Sequence, residues 1–265
     1  MISVILTTFD RRDLVARALA SVFVQTTAAY QAIVVDDGST DGTAEFLSHQ
    51  PIDLLRVPHS GNPAIARNAG LHRARGDLIA FLDSDDTLRP NALEDLSDAL
   101  RAQPAAGFAY GDYEPDPGPR PLVPPVGDIF DRLLESDFLV TGAVLFRRQL
   151  LGAVGGFDPH CSPAEDWDFW LRLAAQADAA HVDRTVIDIG ITADSVSRAP
   201  GGSIYAANRR VTRKALHWCL AHRPASIALA RRMHRRSMLA SARYQWRRQA
   251  IAQTVRDLAM VARVR

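Results

Sequence analysis

The chain has 265 residues, 47% hydrophobic and 23% charged, with a formal net charge of +1, ordinary values for one globular core with an appendage. No stretch approaches the roughly 18 uncharged apolar residues that a membrane span needs. Its two cysteines, Cys161 and Cys219, provide neither a disulfide framework nor metal-ligand spacing, so a reducing cytoplasm is the expected compartment.

The opening "MISVILTTFDRR" has no basic segment before its short apolar run and no small-residue cleavage site, so it reads as a first strand, Ile2–Phe9. "RDLVARALASVFVQT" follows at helical period, with Leu14, Ala18, Leu19, Val22 and Phe23 on one face. Strand Tyr30–Asp37, the turn "GSTDGT", a helix around Ala44–His49 and a short strand Asp53–Pro58 come next. A helix in "GNPAIARNAGLHRARG" closes at Gly76, ahead of strand Leu78–Leu82, a helix from about Asn91 to Gln103 and strand Gly107–Tyr113. Strand and helix alternating at this spacing predict an α/β fold with a mostly parallel sheet and helices on both faces.

Six prolines in "EPDPGPRPLVPP" (Glu114–Pro125) make a semi-rigid surface loop. The second half contains strand Thr141–Arg148, "GGFD" (Gly155–Asp158), helix Ala164–Ala177 and strand "AHVDRTVIDIG", and it runs to residue 204. From Tyr205 to Arg265 the chain has 15 basic residues and one acidic residue, Asp257, which leaves 16 basic and 29 acidic residues elsewhere. This tail, 205–265, reads as two or three helices broken at Arg223-Pro224, and Lys214 is the sequence's only lysine. Three readings of the tail stay open. It could be a basic helical hairpin on an anionic membrane with Trp218, Met233, Leu239 and Trp246 toward lipid. It could be a lid or dimer element on the acidic part of the chain. Nucleic-acid binding is the third, and no motif supports it.

The chemistry sits at strand ends. In an open parallel sheet, ligands bind at the carboxyl ends of the strands. One strand ends in Asp36-Asp37 and another in "DSDD" (Asp83, Asp85, Asp86), so both acidic groups belong on one rim. Gathered carboxylates repel one another unless a cation joins them. Hard oxygen ligands suit Mg²⁺ or Mn²⁺, held by Asp85 with Asp83 and shared with nucleotide phosphates. An Asp-rich strand end is also a plain turn and helix cap, and Asp37-Gly38 and Asp41-Gly42 form turns without any ligand. A phosphoryl-accepting receiver domain would need a lysine near this rim, and Lys214 lies far along the chain.

"VVDDGSTDGT", "ARNAG", "FLDSDD", "GGFD" and "EDWDFWLRL" occur in that order over roughly residues 1–200. The sequence resembles the family 2 glycosyltransferases, inverting enzymes of the GT-A fold. The resemblance implies a GT-A catalytic domain at 1–204, with a donor-binding half (1–113) and an acceptor-binding half (126–204). The implied reaction moves a sugar from a nucleoside diphosphate, UDP first and GDP or dTDP as alternatives, to a hydroxyl of a glycan, glycolipid or natural-product acceptor. Thr8, Phe9, Asp36 and Asp37 inherit nucleobase and ribose binding, with Arg67 and Asp83 as further donor-side residues. Asp83 and Asp85 match the DxD motif that holds Mn²⁺ or Mg²⁺. Asp166, of the "ED" pair, inherits the role of general base, while Glu165, Trp167 and Asp86 fall on the acceptor side. Asp166 also reads as a helix cap, and Trp167, Phe169 and Trp170 as core. One departure is Thr192, which stands where many relatives have a metal- or diphosphate-binding histidine; Asp194 or a tail arginine would have to substitute. A non-catalytic sugar-nucleotide-binding protein therefore remains an alternative. A pyrophosphorylase does not fit, because "TTFDRRD" lacks the glycine-rich loop it would need.

Overall fold

The structure is a computed structural model that describes residues 1–27, 30–115, 123–190 and 203–263, with side chains described as far as residue 247. In chain order the elements are β1 (Ile2–Thr8), α1 (Arg12–Phe23), β2 (Tyr30–Asp36), α2 (Thr43–Ser48), β3 (Asp53–Arg56), α3 (Pro63–Arg73) and β4 (Leu78–Asp83). There follow β5 (Thr87–Leu88), α4 (Ala92–Ala102), β6 (Ala106–Glu114), α5 (Phe130–Glu135), β7 (Val144–Arg147) and α6 (Leu151–Val154). The chain ends with α7 (Glu165–Ala174), β8 (Asp178–Asp188), α8 (Ser203–His222) and α9 (Ile227–Arg263). Thr192, Asp194 and the "SVSR" segment lie outside the described residues, as does most of the proline-rich loop.

The strands form one sheet in the order β3-β2-β1-β4-β7-β6-β8-β5. β1 to β4, β6 and β8 run the same way, and β5 and β7 run against them, so the sheet is mostly parallel as expected. The strand predicted at Thr141–Arg148 is shorter than its apolar run suggests. Its first residues, Thr141–Ala143, form a 3-10 turn that brings the preceding segment to the sheet rim.

Alternation along each strand feeds two cores, one on each face of the sheet. Ile5, Ile33, Ile79 and Phe81 point into the cluster under α3, α5 and α7, while Val4, Leu6, Val34 and Leu82 point to α1 and α4. The aromatic part of the first cluster is dense: Phe157 and Phe169 stack at 4.4 Å, and Phe81 meets Phe157 edge-on at 5.0 Å. Gly70 lets α3 lie against β1, since a Cβ there would collide with the Ile5 side chain.

The tail is bolted to this core. Ala207, Val211, Ala215 and Cys219 of α8, and Ala230 and Met233 of α9, belong to the same cluster as Phe169 and Trp170. Around them, Lys214 Nζ lies 2.7 Å from both Asp158 and Asp168, Arg223 pairs with Asp128, and Arg232 reaches Glu135 at 2.7 Å. The opposite charges counted in the sequence thus meet across this seam. Two of the four residues expected to face lipid turn inward instead: Met233 is buried, and Trp218 packs on Phe130 at 5.1 Å. The apolar stripe of these helices is spent on the domain core. Leu239 and Trp246 remain exposed. No helix among the described residues is long and apolar enough to cross a membrane.

Candidate active site

The parallel register sets the site. Thr8 pairs with Asp36 across β1–β2 and Thr7 with Asp83 across β1–β4, so both acidic strand ends flank the end of β1. A cavity of about 850 Å³ opens on this edge. Thr8, Phe9, Asp37, Arg67, Asp83 and Asp85 line it on one side, and Asp86, Glu165, Asp166 and Trp167 also contribute. Residues from 83 to 166 are thus brought into one space. Asp36 is the exception: it is fully buried beneath the edge, where it accepts the Ser39 amide and pairs with Arg56 at 3.3 Å. Its neighbour Asp37 accepts the Ser60 amide at 2.9 Å and the Gly61 amide at 3.1 Å, which fixes the loop that carries His59. His59 stacks on Phe9 at 3.8 Å, forming a flat aromatic lip at the rim. Thr8 Oγ1 is buried with no hydrogen-bond partner among the described residues.

Arg67 is more deeply set than a donor-binding cation need be. Its two terminal nitrogens donate to Asp83 and to Glu165, each at 2.8 Å, and its side chain is 6% exposed. Burial works against its charge, but Asp83 and Glu165 outweigh it, so the guanidinium stays protonated at any ordinary pH. The effect is a clamp between the end of β4, where "DSDD" lies, and the first turn of α7, where Glu165-Asp166 lie. Glu165 is buried in this pairing. Asp85 pairs with Arg11 at 3.2 Å. Asp86 takes the Gly190 amide at 2.9 Å, and burial followed by the neighbouring Asp83 charge pushes its carboxyl up to about 8.

Asp166 sits in the first turn of α7, with Ala164 rather than Asp166 at the cap position. It accepts hydrogen bonds from the Trp167 amide at 2.8 Å and from Thr141 Oγ1 at 3.2 Å. Burial first, and then the Glu165 charge, push it up to about 6, against the pull of Arg67. Trp167 lines the cavity but is buried, with its indole N–H on the Leu133 carbonyl at 2.9 Å.

Several cavity residues carry no motif in the sequence. Asp137, between α5 and β7, opens into the cavity, and burial together with the Asp166 charge raises its carboxyl well above the usual range. Tyr205 and Asn208 of α8 and Arg236 of α9 form a further wall. "ESDF" is an unremarked acidic turn in the sequence. The inward residues of α8 and α9 become visible only once Lys214 and Met233 fix which helix faces turn inward.

Eight carboxyl-bearing residues line the cavity against three arginines, leaving it short of positive charge. Asp83 and Asp85 supply hard oxygen ligands at its edge. Such a set fits one Mg²⁺ or Mn²⁺ shared with substrate phosphates, since Mg²⁺ commonly uses only one or two carboxylates. A separate cluster of metal-type ligands, Asp158, Cys161 and Asp168, is occupied by the Lys214 ammonium.

Comparison with known proteins agrees with this geometry. The model of "Glycosyl transferase family 2" matches residues 3–155. The uncharacterised glycosyltransferase YwdF of Bacillus subtilis (strain 168) is 29% identical over 185 residues, 65% of this chain and 68% of that protein. The crystal structure of S. aureus TarS 1-349 in complex with UDP-GlcNAc superposes with a TM-score of 0.71 at 19% identity, covering 89% of this chain and 71% of that one. The mannosyltransferase PcManGT from Pyrobaculum calidifontis, in complex with GDP-Man and Mn2+, gives a TM-score of 0.62 at 19% identity, covering 95% and 80%. With its GT-A-type sheet and the family match over more than half its length, the chain belongs to glycosyl transferase family 2 and is a glycosyltransferase.

Proposed function

We propose that the protein is an inverting transferase that moves a sugar from a nucleoside diphosphate, UDP before GDP, to a hydroxyl of a glycan, glycolipid or natural-product acceptor. The observation that carries this reading is the one cavity lined by Asp83, Asp85 and Asp166. The donors bound by TarS and PcManGT support the choice of a nucleotide sugar.

Thr8, Phe9 and Asp37 take the nucleobase and ribose end, with the Phe9–His59 lip as a stacking surface. Asp85, with Asp83, would hold Mn²⁺ or Mg²⁺, which when bound supplies positive charge against the diphosphate leaving group. Arg67 keeps Asp83 and Glu165 in fixed relation, and so holds the donor and acceptor halves in register. Asp166 takes the proton of the acceptor hydroxyl as that oxygen attacks the anomeric carbon opposite the diphosphate. One bond forms, the bond to the diphosphate breaks, and the configuration inverts. A carboxyl near 6 is ionised at neutral pH and still basic enough for this work. Trp167, Glu165 and Asp86, which line the same cavity, are assigned to the acceptor side. The exposed Leu239 and Trp246, on an arginine-rich helix, support a peripheral contact with an anionic membrane.

The test is release of UDP or GDP from a panel of nucleotide sugars in the presence of Mn²⁺, with acceptor extracts supplied. Turnover of one donor, abolished by Asp166→Asn with donor binding retained, is the expected result. Transfer at the wild-type rate by that variant would refute the assignment of the base.

A further inference from the structure

Two arginines meet the carboxylates of "DSDD", and they are held differently. Arg67 has both terminal nitrogens committed, one to Asp83 and one to Glu165, and its side chain is 6% exposed. Arg11 reaches Asp85 Oδ2 at 3.2 Å from the turn between β1 and α1, and its side chain is 24% exposed. Both Arg11 and Asp85 line the cavity. The backbone that carries Arg11 is fixed. Asp10, just before it, has a φ of 47°, the left-handed region that few residues other than glycine adopt. Its amide donates to Ser39 Oγ at 2.9 Å, and its carboxylate accepts the Thr40 amide at 2.6 Å. On the other side, the Arg11 carbonyl accepts the Val15 amide at 2.8 Å and the Arg12 amide donates to Asp41 at 3.2 Å. A strained backbone held from both sides turns Arg11 toward the cavity and leaves Arg12 exposed outside its lining.

Asp85 is also the carboxylate assigned above to the metal. A guanidinium and a divalent ion drawn to the same carboxylate repel each other, the more so because Asp85 is only 12% exposed and water screens the pair poorly. Arg11 therefore gives ground when a metal takes Asp85. The anion closest to that position is the donor's diphosphate, since a metal on Asp85 is shared with it. A guanidinium grips phosphate oxygens with two parallel N–H donors, so the exchange keeps Arg11 paired. Arg67 is unsuited to this exchange, because leaving its carboxylates would strand the buried Glu165.

We propose that Arg11 exchanges partners when the donor binds, passing from Asp85 to the diphosphate as a metal takes that carboxylate. The inference rests on the metal and nucleotide reading above and adds to it a residue that couples the two binding events. Arg11 opposes the metal when no nucleotide is present and strengthens nucleotide binding once the metal is in place, so each ligand favours the other.

The experiment titrates Mn²⁺ alone, and then UDP and uridine at saturating Mn²⁺, into the full-length wild type, Arg11→Met and the control Arg12→Met. The expected result for Arg11→Met is Mn²⁺ binding tighter by about 5-fold or more and UDP binding weaker by about 10- to 100-fold. Uridine, which has no phosphate, should bind both proteins alike, and Arg12→Met should match the wild type throughout. Arg11→Gln gives the same comparison should Arg11→Met fail to fold. Opposite changes for metal and nucleotide are what an exchange produces and a purely structural contact does not. Weaker binding of both Mn²⁺ and UDP would mean that Arg11 only holds Asp85 in place, and overturns the proposal. Unchanged Mn²⁺ binding, unchanged UDP binding, or an equal loss of uridine and UDP overturns it as well. Failure of the wild type to bind UDP in the presence of Mn²⁺ would sink the function proposed above, and this inference with it.

Discussion

Asp166→Asn should make the protein more stable while it destroys transfer. Raising an aspartate from its ordinary 3.8 to about 6 costs the folded state about 3 kcal/mol at neutral pH, at about 1.4 kcal/mol for each tenfold change in proton affinity. Asp166 keeps part of its surface open to the cavity, and water there cuts the cost to about 1–2 kcal/mol. The asparagine retains a carbonyl oxygen for the Trp167 amide and Thr141 Oγ1, so these contacts survive. For a chain of this size that gain moves Tm upward by about 2–8 °C. The folded-state pKa lies above the unfolded one, so the cost of Asp166 is fully present above pH 6 and fades as the pH falls from 6 toward 3.8. The assay is thermal unfolding of both proteins at pH 7.5 and pH 4. The variant should melt higher at pH 7.5, and the gap should close at pH 4, while transfer falls by about 10²- to 10⁴-fold. A variant that melts lower than wild type at pH 7.5, or one with the same advantage at both pH values, would refute the view that Asp166 is held in a hostile field.

Three further outcomes follow from the same geometry. For the wild type, log kcat/KM should rise with a slope near one up to about pH 6 and then level. Arg67→Met leaves the buried Glu165 without its cation while Asp83, about a third exposed, turns to water, and urea unfolding should register a loss of about 3 kcal/mol. At Gly190 an added Cβ would meet the Asp85 carbonyl, so Gly190→Ala should weaken metal-dependent nucleotide binding while circular dichroism stays close to wild type.

Much of this site was readable before the fold. Apolar runs alternating with helical segments at short spacing indicated the sheet, and the rule that ligands gather at strand carboxyl ends put Asp37, Asp83 and Asp85 on one edge. Asp166 was legible only through the family resemblance, since its place at a helix start reads equally well as a cap. Arg67 was read as a donor-binding cation, but the sequence contains no sign of its two carboxylate partners, one of them 98 positions away. The inward turn of Trp218 and Met233 was likewise hidden. A basic amphipathic helix looks the same whether its apolar stripe meets lipid or a protein core, and it is the burial of Met233 and the packing of Trp218 on Phe130 that show these two residues facing the core. Asp137 and Arg236 lie on elements without motifs, and it is the reversed strand β7 and the docked helix α9 that bring them to the cavity.

The most direct measurement of the central claim is calorimetric titration of UDP and GDP into the protein with Mn²⁺, with EDTA, and again on Asp85→Ala. Binding of one nucleotide that requires Mn²⁺ and disappears in the variant is the result expected if Asp85, with Asp83, holds the metal as proposed. Equal binding with EDTA, or full binding by Asp85→Ala, would contradict it.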